Sequence, residues 1–333
     1  MINIGIVSYG LYLPDNSENA EAVAAKSGLT SDDVHQLGIT RKFVPGPADQ
    51  PVTMAVGAAN KAFEQAKDVK PADVDVVIWT GEEYKDYIAQ TASIRLQEEA
   101  GCRNAWAFDL VGQGVTSILG LRVAKGLMLG DASINTVLLA GGTRNIDLVD
   151  CRNPDTRFLL AASASGGAIL LRRGHAENRL MGEAVVVDAE MADEVYVPGG
   201  GTEIPFSPEN LESELMFFQV AHPEALSKYL QRRWPKALVE ITKRVVPDSS
   251  PDYLALRHLS VADRQRVIDA LQIKPEYSPS LSDYGHHGPN DVIISLDHGL
   301  RSGAIQAGAC VVLVSGGIGF TYAAARIQWG PGG

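Results

Sequence analysis

The sequence has few cysteines, a deficit of basic residues and no long uncharged apolar run, and each absence excludes a class of protein. Its three cysteines lie far apart without a CxxC pair, so a disulfide framework is excluded and a reducing cytoplasm is predicted. The formal net charge of -11 argues against nucleic-acid binding, because contacts to phosphates need a basic face. The missing apolar run argues against a membrane-spanning helix.

What the chain does have is length and a regular alternation of patterns. With 333 residues, 45% of them hydrophobic, it can bury a large core, and the length predicts two domains or two fused halves. Buried-strand patterns such as residues 74–79 and 135–141 alternate with helical ones, which predicts an α/β fold with a mostly parallel sheet. We place the halves at residues 1–175 and 176–333. The Pro- and Gly-rich stretch at about 189–222 predicts a lid or a partner-binding insertion.

The stretch from Ala107 to Gly130, AFDLVGQGVTSILGLRVAKGLMLG, is the most informative part of the chain. It predicts the end of a strand, a tight Gly-Gln-Gly corner and then an apolar helix. The apolar residues are too dense for a helix with one exposed face, so we expect this helix to be buried at the centre. Free N–H groups and the helix dipole stabilise an anion at such a corner, where a catalytic nucleophile gains most.

This corner resembles the one in the thiolase superfamily, in its ketoacyl synthase III and HMG-CoA synthase branch. Four further stretches fall in the family's order along nearly the whole chain: IGIVSYGLYLP, GITRKFVPGP, WTGEEYKDY and LVSGGIGFTYAAARI. The first two of these, through IGIVSYG and RKFVPGP, look closest to archaeal-type HMG-CoA synthases. The resemblance implies a five-layered αβαβα fold of two pseudo-duplicated halves, with central helices between two mixed sheets. It also implies a CoA or acyl carrier protein thioester as substrate in lipid or polyketide metabolism, with no resident cofactor or metal.

The cysteine that carries the acyl group in this family is missing. Counting five residues past Asp109 places it at Gly114, whereas counting back from the glycine that closes the helix, Gly130, places it at Gln113. Both positions stay open. A glutamine in place of the cysteine resembles related ketosynthases that decarboxylate malonyl thioesters without condensing them.

The other two catalytic groups of the family are changed as well. The family histidine matches Arg257, with His258 one residue later, and the family asparagine matches His286. The resemblance therefore implies that the standard Cys–His–Asn chemistry is not retained. His286 either takes part in catalysis or is a hydrogen-bonded residue that fills the vacated volume.

Two further features resemble catalytic parts of the family. Gly317 and Gly319 lie in a loop like the one that supplies half of the oxyanion hole, the other half coming from the amides near Gly114. The alternative is that the turn simply needs glycine for its backbone angles. Glu83 falls where the HMG-CoA synthase branch carries its acid/base glutamate, and the alternative is a solvated loop acid.

These observations leave three hypotheses. The first is an accessory subunit of an acyltransferase complex, paired with a catalytic thiolase-fold partner, similar to the non-catalytic synthase-like subunit of phloroglucinol acyltransferase complexes. The second is a stand-alone enzyme that decarboxylates, cleaves or transfers an acyl thioester with Glu83 and His286. The third is a protein that only binds an acyl chain. Whether the chain is an enzyme stays open, and a homodimer or heterodimer is expected.

Overall fold

Strands and helices alternate along the chain in the computed structural model, which describes residues 2–211, 213–247 and 249–331. The strands are β1 (Ile4–Tyr12), β2 (Ser17–Asn19), β3 (Arg41–Phe43), β4 (Val76–Trp79), β5 (Trp106–Asp109), β6 (Thr136–Thr143), β7 (Ser165–Arg173), β8 (Glu177–Val187), β9 (Val195–Tyr196), β10 (Gln219–Val220), β11 (Tyr253–Leu256), β12 (Cys310–Gly317) and β13 (Thr321–Pro331). The α-helices are α1 (Ala20–Ser27), α2 (Ser31–Gln36), α3 (Pro51–Gln65), α4 (Ala92–Glu99), α5 (Thr116–Gly130), α6 (Pro223–Val245), α7 (Val261–Ala270) and α8 (Asp291–Arg301).

Nine strands form one mixed sheet in the order β11-β12-β13-β8-β1-β7-β6-β4-β5. The sheet consists of two blocks. The C-terminal block contains β11, β12, β13 and β8, and the N-terminal block contains β1, β7, β6, β4 and β5. The pairing between β8 and β1 that joins them is limited to one residue pair, Gly5 with Arg179. Parallel pairing occurs only between β4 and β5, β4 and β6, and β11 and β12 among the described strands, so the expectation of a mostly parallel sheet is wrong. The reason is that the three-residue connection between β12 and β13 is too short for a crossover and forces antiparallel pairing.

Helices cover both blocks and also fill the space between them. Helices α3 and α4 pack on the outer side of the N-terminal block, and α6, with α7 behind it, packs on the C-terminal block. Helices α5 and α8 contact strands of both blocks, and the cluster of apolar side chains around them is the central core. The five-layered αβαβα fold is therefore confirmed. No helix in the described ranges combines the length and apolarity that crossing a bilayer requires.

Helix α5 is largely buried on all sides from Thr116 to Leu121 and is buried on one face only beyond Leu121. Residues Ile118, Leu121 and Met128 face the core and are fully buried, whereas Arg122 and Leu129 are exposed. The expectation of a helix buried all round is therefore wrong for its C-terminal half, because the side that faces away from the sheets is open to solvent.

The stretch 189–222 lies outside the main sheet. Its two short strands, β9 and β10, pair with each other in antiparallel fashion. Phe218, near its end, reaches the cavity described below. Its role as a lid or partner-binding segment, and the division of the chain at residue 176, stay predictions.

The one-sided burial of α5 can be tested with two leucines of the same helix. Leu121→Ala should lower the free energy of unfolding by about 2–5 kcal/mol, because it opens a cavity in the central core. Leu129, 52% exposed, is the matched control, and Leu129→Ala should change stability by less than about 0.5 kcal/mol. Urea denaturation followed by circular dichroism measures both. Equal losses would contradict the assignment of the buried face.

Candidate functional site

The corner between β5 and α5 carries Gln113 and Gly114, neither of which has a nucleophilic side chain. Gln113 has a left-handed backbone, with φ of 54°, and Gly114 is buried behind it. A Cβ atom on Gly114 would lie 2.7 Å from the carbonyl oxygen of Gly316 and 3.6 Å from Nη1 of Arg257. The first contact is closer than real Cβ atoms come, so a side chain at Gly114 requires the end of β12 to move.

A cavity of about 160 Å³ lies next to this corner. Its polar end is formed by side chains and glycines from separate elements: Glu82, Gln113, Gly114, Arg257, His258, His286 and Gly317. The rest of its wall is largely apolar and includes Leu37, Val149, Phe158, Leu159, Phe218 and Leu230. The structure thus brings together six of the residues expected from the sequence, and the whole resembles a binding site with one polar end.

A chain of hydrogen bonds runs from the cavity into the core. Nη2 of Arg257 donates to Nε2 of His286 over 2.9 Å, and Nδ1 of His286 lies 2.6 Å from Oδ2 of Asp291. Because a guanidinium can only donate, Nε2 is the acceptor and Nδ1 carries the proton that it donates to Asp291. The His286 ring is therefore fixed in one tautomer.

Asp291 anchors this chain at the first residue of α8, where it is fully buried. Its carboxylate also accepts the backbone N–H groups of His258, at 2.9 Å, and His287, at 2.7 Å. Burial by itself raises the pKa of Asp291, but His286 and Arg257 hold it below its ordinary value. Burial lowers the pKa of His258 and of His287 to about 4, so both are neutral at pH 7.

Glu82, and not Glu83, is the glutamate that lines the cavity, and Asp263 is a second carboxyl group in the lining. Glu82 is 3% exposed, and its Oε2 atom has no hydrogen-bond partner among the described residues. Burial raises its pKa from 4.5 to about 7, although Arg257 opposes the shift. Glu83 is exposed and does not line the cavity. Adjacent residues of an extended segment point to opposite sides, so only one of the two can face inward.

The remaining expected residues are placed as follows. Gly317 lines the cavity, whereas Gly319 does not, so the structure places only one of the two loop glycines at the site. His258 lines the cavity, but its Nε2 lies 2.9 Å from the carbonyl oxygen of Gly38. That nitrogen is therefore already hydrogen-bonded and does not face a ligand as a free group. In the described parts of the chain, no group of three or more His, Cys, Asp or Glu side chains is arranged to hold a metal ion.

Besides Glu82, sequence reasoning missed two further residues of the site, Asp291 and Trp234. Asp291 follows His286 by five residues, which could have suggested a partner for that histidine. Trp234 lies on α6, and the Arg257 guanidinium stacks over its ring, with 4.9 Å between Cζ of Arg257 and the ring centroid. No local pattern marks Trp234, because helix α6 reaches the site only through the fold.

Comparison with known proteins shows similarity to the ketoacyl synthases III in sequence and in fold. Residues 243–329 match the family model of the 3-oxoacyl-[acyl-carrier-protein (ACP)] synthase III C terminal. The β-ketoacyl-[acyl-carrier-protein] synthase III of Caldanaerobacter subterraneus is 25% identical over 98% of both chains, and that of Chlamydia caviae is 27% identical over 96% of this chain and 95% of its own. The chain has a thiolase-like fold and is similar to the ketoacyl synthases III. The crystal structure of 3-oxoacyl-(acyl carrier protein) synthase III from Pseudomonas aeruginosa, 20% identical, matches with a TM-score of 0.85 over 98% of each chain.

The burial of Glu82 predicts a pH-dependent cost in stability. The pKa of Glu82 is higher in the folded chain than in the unfolded chain. The contribution of this carboxyl to the free energy of unfolding is therefore fully present below about pH 4.5 and is lost as pH rises to about 7. Glu82→Gln should therefore gain about 3 kcal/mol relative to the natural chain between pH 4.5 and 7, and no more above pH 7.

Urea denaturation of the two chains from pH 4.5 to pH 8.5 measures this difference. Glu83→Gln is the matched control, since the exposed neighbour should give a difference that does not change with pH in this way. A pH-independent difference for Glu82→Gln would show that the carboxyl is not buried in solution.

Proposed function

We propose that the protein is an enzyme that processes an acyl thioester by acid–base chemistry, without a covalent acyl-cysteine intermediate. The supporting observation is the unpartnered carboxyl of Glu82, which shares a cavity with Arg257 and His286. Burying a polar group without a partner costs folding free energy. A site kept only to fill volume gains nothing from that cost, whereas a catalytic acid or base needs a pKa near the working pH.

Among decarboxylation, retro-aldol cleavage and acyl transfer, the site suits retro-aldol cleavage of a 3-hydroxyacyl thioester best. Ionised Glu82 accepts the proton of the 3-hydroxyl group, and the bond between the α- and β-carbons breaks. The released electron pair forms the enolate of the thioester, while the β-carbon leaves as an aldehyde or ketone. Glu82 then returns the same proton to the α-carbon, so the reaction needs no oxidant, water or cofactor.

In the proposed reaction, Arg257 stabilises the enolate oxygen. A guanidinium has five N–H donors, and three of them go to the carbonyl oxygens of His258 and Gly316 and to Nε2 of His286. Two donors are left for a ligand. His286 and Asp291 fix the plane of the guanidinium, and an oriented donor is worth more in a site from which water is excluded.

No thiol offers a route back to the standard mechanism. Among the described residues none of the cysteines lines the cavity. Burial raises the pKa of Cys102 to about 12 and also raises that of Cys310, so neither thiol ionises readily. Direct acyl transfer through cysteine is therefore the least supported of the three reactions. A CoA thioester and an acyl carrier protein thioester are both proposed substrates, the second because the relatives are named for that carrier.

The expectation of a homodimer or heterodimer is supported by the exposed edge of β5. This strand ends the large sheet, and its Trp106, 50% exposed, stacks on Phe108 with 5.4 Å between ring centroids. Val111, just beyond the strand, is 41% exposed. The one charged side chain of β5, Asp109, is paired with Lys85 and with backbone N–H groups of α4, so it does not protect the edge. Such an edge is a template for pairing with another chain, and we propose it as the dimer surface.

The enzyme hypothesis predicts opposite results for the two adjacent glutamates. Glu82→Gln should lower kcat for cleavage of short 3-hydroxyacyl-CoA substrates by about 10²–10⁴, because the general base is lost. Glu83→Gln should keep the natural kcat. Aldehyde or ketone release, followed by mass spectrometry, measures both. If the purified chain cleaves neither CoA nor carrier-protein thioesters, the accessory role replaces this proposal.

The proposed dimer surface predicts that Trp106→Lys converts the dimer to a monomer, because it places a charge on the exposed edge. Light scattering after size-exclusion chromatography measures the mass. Tyr277→Lys is the control, since Tyr277 is also exposed, at 39%, but lies in the C-terminal half. An unchanged dimer in the Trp106→Lys variant would exclude this surface.

A further inference from the structure

We infer that the cavity is a receptor for a small apolar carboxylate, which Arg257 binds through its two remaining N–H donors while Glu82 in its neutral form donates a third hydrogen bond. The inference concerns the cavity of the proposed function, but it requires no turnover. It depends on the charges of the site and on the size of its apolar end.

The first argument is that Arg257 is a largely enclosed cation without a direct anionic partner. Among the described residues no carboxylate oxygen lies within 4.0 Å of its guanidinium, and Asp291 reaches it only through the His286 ring. Trp234 covers one face of the guanidinium. An enclosed charge is costly unless it is paired, and a guanidinium matches a carboxylate with two parallel hydrogen bonds. A ligand carboxylate supplies the missing anion.

The second argument is the position of that cation at the start of α5. Nη1 of Arg257 lies 3.6 Å from the point where a Cβ of Gly114 would be, just before the first residue of the helix. The positive end of the 15-residue helix therefore adds to the charge of the guanidinium.

The third argument is the unpartnered Oε2 atom of Glu82 in the same cavity. The charged groups around Glu82 are Arg257, Asp291 and its neighbour Glu83, and burial lowers the pKa of His286. A neutral carboxyl donates an O–H to a ligand carboxylate, whereas an ionised one repels it. Because burial keeps the pKa of Glu82 near 7, binding of the carboxylate takes up a proton as pH rises past that value.

The fourth argument concerns the body of the ligand. The cavity is about 160 Å³, and an apolar protein cavity of roughly 150 Å³ holds one benzene molecule. Leucine, valine and phenylalanine side chains are prominent in its lining, which also includes the carboxyl group of Asp263. The ligand is therefore a short carboxylate with roughly four to seven carbons, such as butyrate or benzoate.

Titration calorimetry with benzoate and butyrate at pH 6 and pH 8 tests the inference, with benzamide as the uncharged control ligand. The natural chain should bind both carboxylates at pH 6, about tenfold more weakly at pH 8, and benzamide poorly at either pH. Glu82→Gln keeps a donor that cannot ionise, so it should bind equally at both pH values. Glu83→Gln should keep the natural pH dependence.

Substitutions of Arg257 complete the test. Arg257→Gln should lose carboxylate binding at both pH values, and Arg257→Lys, which keeps the charge, should retain part of it. Circular dichroism and thermal melting establish that each variant is folded. Carboxylate binding that is absent from the natural chain, or that survives unchanged in folded Arg257→Gln, would overturn the inference.

The two proposals for this cavity fail in different ways. Glu82-dependent cleavage of thioesters without carboxylate binding would overturn the receptor and leave the enzyme. Proton-linked carboxylate binding by a chain that cleaves no thioester would overturn the enzyme and support the receptor.

Discussion

The buried carboxylate of Asp291 is the interaction on which the whole site depends. It stands at the first residue of α8 and joins the end of β11 to the turn that carries His286, by accepting one side-chain and two backbone hydrogen bonds. Without it, three buried donors are left unpaired, each at a cost of roughly 1–3 kcal/mol. It also sets the tautomer of His286, and through His286 the orientation of Arg257. Asp291 itself does not line the cavity, yet it orients the two side chains, His286 and Arg257, that do.

A second feature of the site is that other groups crowd the position where the family resemblance implies a nucleophile. The carbonyl of Gly316 crowds Gly114, and the guanidinium of Arg257 lies beside it. A thiolate at a helix start is an anion that the helix dipole stabilises. Here the positive end of the helix faces a cation that is linked to the carboxylate of Asp291 only through His286, so an incoming anion, an enolate or a carboxylate, is favoured beside Arg257.

The hydrophobic pattern predicted an α/β fold, and the resemblance to the family predicted its layers and the convergence of residues far apart in the chain. Gln113, Arg257 and His286 meet at one cavity, as the order of the motifs predicts. Strand directions were less predictable, because the pattern of a buried strand is the same in parallel and antiparallel pairing. The one-sided burial of α5 depends on which sides of the helix the sheets cover, which its own residues do not encode.

Glu82 and Glu83 show where sequence reasoning stops. Adjacent side chains of an extended segment point to opposite sides, so a shift of one residue decides which one faces inward. The sequence alone therefore cannot say which of two adjacent glutamates lines the cavity. Asp291 and Trp234 were missed for a related reason, since their roles come from contacts with Arg257 and His286 and from no pattern around themselves. The resemblance of the motifs supplied the position of the site and its departures from the family pattern, whereas the hydrogen bonds among its side chains came only from the structure.

The charge state of Glu82 connects the two proposed uses of the cavity. When it is ionised, it can remove a hydroxyl proton, and Arg257 faces a negative group that makes an anionic ligand unfavourable. When it is neutral, it is a donor, and the same Arg257 favours a carboxylate. One proton therefore decides whether the cavity is suited to an uncharged hydroxyacyl group or to an acid, and burial keeps that proton's pKa near neutrality. A protein partner for Glu82 would fix its protonation state and so remove this dependence on pH. The unpartnered carboxyl is therefore what allows the cavity to suit both kinds of ligand.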